Sequence, residues 1–151
     1  MSRNADISTI FVPTAARASA ATTTTFYQVP YDILIKSVTV FGINPAAVDA
    51  DTLRVVVDHS AAGAGSFTTI ADTTADEYND TTDEASLGVG ATSGDVRSVG
   101  AADWGTLTYP GTRVAGDSYI RVREIWTGTV TDGQVQICIH YVTLNDTLDV
   151  E

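Results

Sequence analysis

The chain has 151 residues and a mass of 15.9 kDa, enough for one compact domain and hardly for two. Hydrophobic residues at 44% and charged residues at 18% supply a core and exclude a disordered composition. No apolar run approaches the roughly 20 residues of a membrane helix, so no membrane association is expected. Nineteen acids against eight bases give a net charge of -11, a field that repels phosphate backbones and excludes nucleic acid as an expected partner. The lone Cys138 excludes an internal disulfide framework, and no apolar h-region follows Met1 to Asp6, so no signal peptide is expected.

Thr occurs 23 times and Gly 12 times, while Leu, Lys, Glu and Gln are scarce. Such a composition favours strands and turns, because β-branched residues fit a pleated surface. No window repeats apolar residues at the helical spacing, so almost no helix is expected. Residues 1–25 read as an extended N-terminal arm, and 26–151 as a single β-sandwich domain. In the arm, Ile7, Ile10, Phe11 and Val12 form a short strand ending at Pro13 and are the candidate partner-binding residues. The small-residue run Thr14 to Thr25 is either an extended strand laid along another surface or a mobile linker.

The body opens with Tyr31 to Ile43, whose strict alternation places Ile33, Ile35, Thr39, Phe41 and Ile43 on one face and Leu34, Val38 and Val40 on the other. A strand apolar on both faces is expected to be covered on both, or to lie at a subunit contact. Leu53 to Asp58 follows with Leu53, Val55 and Val57 inward, and then Phe67 to Ile70. Residues 71–103 are acidic and then glycine-rich, and read as long loops with short strands near Ala75–Asn79 and Ser86–Val89. Loops of that length are usually functional or ordered by a partner.

Ser118 to Val130 and Gln134 to Leu144 flank Thr131-Asp132-Gly133, which predicts a hairpin. Val135, Ile137, Ile139 and Tyr141 share one face of the second run; Gln136, Cys138 and His140 share the other. Trp126 is in phase with Ile120 and Val122, so it is expected in the core. About eight strands without helices argue for an antiparallel all-β sandwich.

Catalytic constellations are not visible. The only histidines, His59 and His140, lie near no nucleophile elbow, and no phosphate-cradling glycine loop precedes a helix, so neither an enzyme nor a nucleotide cofactor is expected. Cys138 and His140 have a permissible metal spacing but lack further ligands, and core or sheet packing is the simpler reading. Asp49-Ala50-Asp51 and Asp72 to Glu84 crowd carboxylates as calcium loops do, without the EF-hand pattern, and read as solvated acidic loops. Carboxylate pairs suited to glycosidic cleavage can be drawn from many combinations, none of which is selected. Trp104 and Tyr109 are the candidate sugar-binding residues of an alternative reading, a carbohydrate-binding module for host attachment.

A preference for Asp over Glu (15 to 4) and Arg over Lys (7 to 1) resembles proteins of haloarchaea and their viruses, where high salt screens carboxylate repulsion. The Thr/Ala-rich run from Thr14 to Thr25, the opening YDILIKSVTVFGIN and the closing GDSYIRVREIWTGTVTDGQVQICIHYVTL together resemble small auxiliary proteins of tailed-virus particles. The Ala115-Gly116-Asp117 corner before a long strand is similar to the last strands of jelly-roll modules. That resemblance is one of style across most of the chain, and carbohydrate-binding modules share the same strands. It implies a jelly-roll capsid decoration protein on the outer surface of the virion, with a neck, tail or fibre component as a variant. Its implied partners are the major capsid protein and further copies of itself, often as a trimer, with no catalytic residues.

Overall fold

A computed structural model of the chain describes residues 7–16, 19–44, 53–61, 65–72, 96–99, 111–127 and 134–144, with the backbone alone at 41–44, 53 and 96–99. All regular structure among these residues is strand. In chain order the strands are β1 (Ser8–Val12), β2 (Ala21–Gln28), β3 (Ile33–Asn44), β4 (Leu53–Ser60), β5 (Thr68–Asp72), β6 (Val96–Val99), β7 (Thr112–Val114), β8 (Tyr119–Trp126) and β9 (Gln134–Thr143). They form two antiparallel sheets. The first runs β1-β9-β3-β6, with β7 also pairing β3; the second runs β2-β8-β4-β5.

One apolar cluster drawn from both sheets holds the structure together. The first sheet contributes Val12, Ile33, Ile35, Val38, Val40, Val114, Val135, Ile137 and Ile139; the second contributes Val55, Val57, Ile70, Ala71, Ile120, Val122 and Trp126. This is the β-sandwich anticipated from the composition. Each fully buried Val or Ile contributes about 1.5–3 kcal/mol of transfer free energy.

Strand β3 departs from the strict alternation read in its sequence. Ile35 faces Tyr141 and Ser37 faces His140, so Lys36 is an extra residue on this strand. A bulge of one residue reverses the side-chain phase. Ile33 and Ile35 before it, and Val38 and Val40 after it, therefore all enter the same core.

The predicted hairpin of the last two strands is not formed. β8 pairs with β2 and β4 in one sheet, whereas β9 pairs with β1 and β3 in the other, so the chain crosses the sandwich between them. Asp132 and Gly133 lie outside the described residues. The expected faces hold: Val135, Ile137 and Ile139 are buried with Tyr141 packed against them, and Trp126 lies in the core.

Residues 8–12 and 21–28, expected to belong largely to an arm, are edge strands of the two sheets, and the expected boundary after residue 25 falls within β2. Of the two alternatives for the threonine run, the structure has the extended strand, and the surface it lies along is β8 of its own chain, from Ala21 opposite Trp126 to Gln28 opposite Tyr119. Strands expected near 75–79 and 86–89 lie outside the described residues.

At one end of the sandwich the two crossings are tied together. Val29 N–H donates to the Ser118 carbonyl (2.8 Å), Asp117 N–H to the Val29 carbonyl (2.6 Å), and Leu144 N–H to the Asp32 carbonyl (2.8 Å). The Asp32 carboxylate accepts from the Gly116 N–H at 2.7 Å and from the Arg113 guanidinium, whose Nε lies 3.2 Å away. These donors, Arg113 foremost and then Gly116, hold the Asp32 carboxyl below the usual carboxylate range.

Candidate functional site

Three surfaces carry side chains with chemical potential, and each is set by strand alternation. On the outer face of the second sheet, register aligns Arg54, Val56 and Asp58 of β4 with Ile125, Arg123 and Arg121 of β8. Asp58 is almost wholly buried although it points away from the apolar core. Its Oδ2 accepts from Arg121 Nε (2.9 Å) and Nη2 (2.6 Å) and from Arg123 Nε (3.2 Å), with Arg123 Nη2 in ion-pair range at 3.1 Å, while its Oδ1 accepts from the Thr69 hydroxyl (3.1 Å). Charge-assisted bonds of this kind compensate the desolvation of a buried carboxylate.

The Arg121 guanidinium also lies over the Phe67 ring, 3.9 Å from its centroid, a cation–π arrangement. Phe67 in turn meets Phe26 at 6.2 Å between centroids, with the rings tilted by 54°. Beside them, Arg54 makes a two-point contact with Asp72, Nε to Oδ1 at 2.9 Å and Nη2 to Oδ2 at 2.7 Å. Val56 is fully buried beneath this layer, outside the main core cluster.

The second surface is the outer face of the first sheet. His140 on β9 sits between two hydroxyls, Thr9 of β1 at 3.0 Å from Nδ1 and Thr39 of β3 at 3.2 Å from Nε2. It therefore links three strands across the sheet. Cys138 is half-buried one alternation away, and burial raises its thiol pKa, which disfavours the thiolate that binds metals or attacks electrophiles. The two do share a face, as their spacing requires, but among the described residues no group of three or more His, Cys, Asp or Glu side chains converges on one point.

The third surface is at β1, the terminal strand of its sheet among the described residues. Ile7 is 64% exposed and Phe11 66%, whereas Val12 is buried and Ile10 packs against the core. Of the four candidate partner-binding residues, alternation thus presents Ile7 and Phe11 outward and turns Ile10 and Val12 inward. Trp104 and Tyr109, the candidate sugar platform, lie outside the described residues, as do Asp49, Asp51 and most of the 72–84 acidic run. Asp72 is the described exception, and Arg54 occupies its carboxylate.

Sequence reasoning missed the Asp58, Arg121 and Arg123 cluster. The available signal was RVR at 121–123 (two arginines at i and i+2, hence on one strand face) with a lone acid, Asp58, ending an otherwise apolar run. Inside the core, Glu124 is buried and accepts from the Trp126 indole N–H. No described helix is long and apolar enough to cross a membrane. Compared with known proteins, the chain matches no family model, no curated protein and no solved structure.

Proposed function

We propose that this chain is a structural virion protein, a capsid decoration protein that binds the outer shell and stabilises it, on a jelly-roll β-sandwich. The observation that carries the attachment is the edge strand β1, which ends its sheet and turns Ile7 and Phe11 outward. A terminal strand with exposed apolar side chains is suited to strand addition by, or onto, a neighbouring subunit.

The strand order supports the jelly-roll reading. β7 pairs Ile33–Ile35 and β6 pairs Val38–Phe41 of β3, so the two act as one interrupted strand. Counted that way, eight strands fall in the orders 1-8-3-6 and 2-7-4-5, which is consistent with a jelly roll. A protein bridging neighbouring capsomers stabilises the bridged state by its binding free energy. Copies that associate with one another, as a trimer in this reading, add multivalent attachment. The acidic, Asp- and Arg-biased composition fits a particle that works in high salt.

The test is rebinding of the purified chain to particles stripped of it, comparing wild type with the double variant Ile7→Ser, Phe11→Ser. Both positions are exposed, so the variant should melt like wild type yet attach at least about tenfold more weakly, as loss of anchoring side chains does. Undiminished attachment would overturn the role of β1. A chain that attaches to no particle but responds to glycans in its tryptophan fluorescence would favour the carbohydrate-binding alternative.

A further inference from the structure

We propose that the outer face of the β2-β8-β4-β5 sheet is a docking surface for an acidic segment of a partner protein, with Arg121 and Arg123 binding a carboxylate and Phe26 providing the apolar contact. The argument is charge complementarity. Of the five described Lys and Arg side chains, Arg54, Arg121 and Arg123 lie on this one face. They face two carboxylates, Asp58 and Asp72, so among the described residues the face has a surplus of one positive charge in a chain of net -11.

The surplus is localised. Arg54 makes a two-point pair with Asp72, whereas Arg121 and Arg123 share Asp58, both through Oδ2. Each guanidinium has five N–H donors; Arg121 spends its Nε and one Nη on that oxygen, and Arg123 its Nε. Among the described residues no second carboxylate engages either one. Their side chains are only 24% and 30% exposed, so most of their hydration is already lost. A partly desolvated cation pair with spare donors favours a further carboxylate, which arginine binds with two parallel N–H contacts.

The pair is also held in place. Asp58 fixes both guanidiniums and Phe67 stacks on Arg121, so little ordering remains to oppose binding. Phe26, 56% exposed and in contact with Phe67, extends an apolar strip beside the cations. An acidic segment with an aromatic neighbour fits both features. This chemistry holds for any acidic protein partner, so it stands or falls separately from the virion reading.

The experiment is an NMR titration of the full, ¹⁵N-labelled chain with the capped peptide Glu-Phe-Glu-Phe-Glu, its Gln-Phe-Gln-Phe-Gln counterpart, and acetate at matched carboxylate concentration. The acidic peptide should saturably shift the Arg121 and Arg123 Nε–H signals, and Arg123→Gln should bind it about tenfold more weakly, the cost of losing one charge-assisted contact. Phe26→Ser, at an exposed position, should weaken it several-fold without altering the fold. Equal response to the neutral peptide, unchanged affinity in Arg123→Gln, or silent arginine signals would overturn the proposal. Acetate reproducing the full response would reduce the surface to a simple anion site and overturn docking.

Discussion

Replacing Asp58 by Ala removes the one carboxylate that, among the described residues, holds Arg121 and Arg123 against the sheet. Breaking a buried ion pair by deleting one partner typically costs about 3–5 kcal/mol, because the other charge is left uncompensated. Here the arginines keep 24% and 30% side-chain exposure and can turn toward water, so the expected loss is smaller, about 2–3 kcal/mol. For a chain of 151 residues that lowers the melting temperature by about 5–10 °C. The assay is urea unfolding at neutral pH, with Asp58→Ala, Arg121→Gln and the double variant forming a cycle. The double variant should recover part of the single losses, giving a coupling of about 1 kcal/mol or more. A loss below about 0.5 kcal/mol for Asp58→Ala, with an unchanged urea slope, would refute the view that this carboxylate organises the face.

Further expectations follow from the other close contacts. Gly111 has φ of +143° and a Cβ there would sit 2.3 Å from the Ile35 carbonyl oxygen, so Gly111→Ala should cost at least about 2 kcal/mol in denaturant unfolding. Glu124→Ala leaves the Trp126 indole N–H without this acceptor and opens a void, a loss of about 2–4 kcal/mol, whereas Glu124→Gln keeps an acceptor and should retain most of the stability. Acid should destabilise the fold in two stages. Desolvation lowers the His59 pKa from 6.5, so its contribution is complete above that value and declines as the unfolded state takes up the proton below it. The lowered Asp32 pKa adds stability that is present above 3.8 and lost as pH falls through the folded value; Asp32→Asn should remove that second limb of the pH–stability curve. If the acidic surface reflects a high-salt habitat, the melting temperature should rise strongly between about 0.1 M and 2 M salt, and a flat profile would discard that idea.

Strand existence was legible where alternation and β-branching coincide, as in Leu53–Ser60, Tyr119–Trp126 and Gln134–Thr143. Partner strands were not. Asp132-Gly133 has the chemistry of a tight hairpin, yet the strands on either side of it, β8 and β9, belong to opposite sheets, and turn chemistry alone does not decide which strands pair. The phase of β3 was hidden because a one-residue bulge at Lys36 leaves no compositional mark. β2 was obscured for the opposite reason: ATTTT has strand propensity but little area to bury, and its pairing with β8 becomes visible only in three dimensions. The short β6 and β7 carry too few residues for a periodic signal. At the candidate sites, Ile7, Ile10, Phe11 and Val12 were singled out from apolarity alone, which does not tell the outward pair from the inward one. The Asp58 cluster required knowing that β4 and β8 are neighbours in register, which one sequence without its pairings does not contain.

The most direct test of the central claim is the copy number of this chain in particles purified from its source, measured by quantitative mass spectrometry against the most abundant shell protein. A decoration role predicts hundreds of copies in a simple ratio to that protein. A dozen or fewer would contradict decoration and place the chain at a neck, tail or fibre, and complete absence would contradict a virion role altogether.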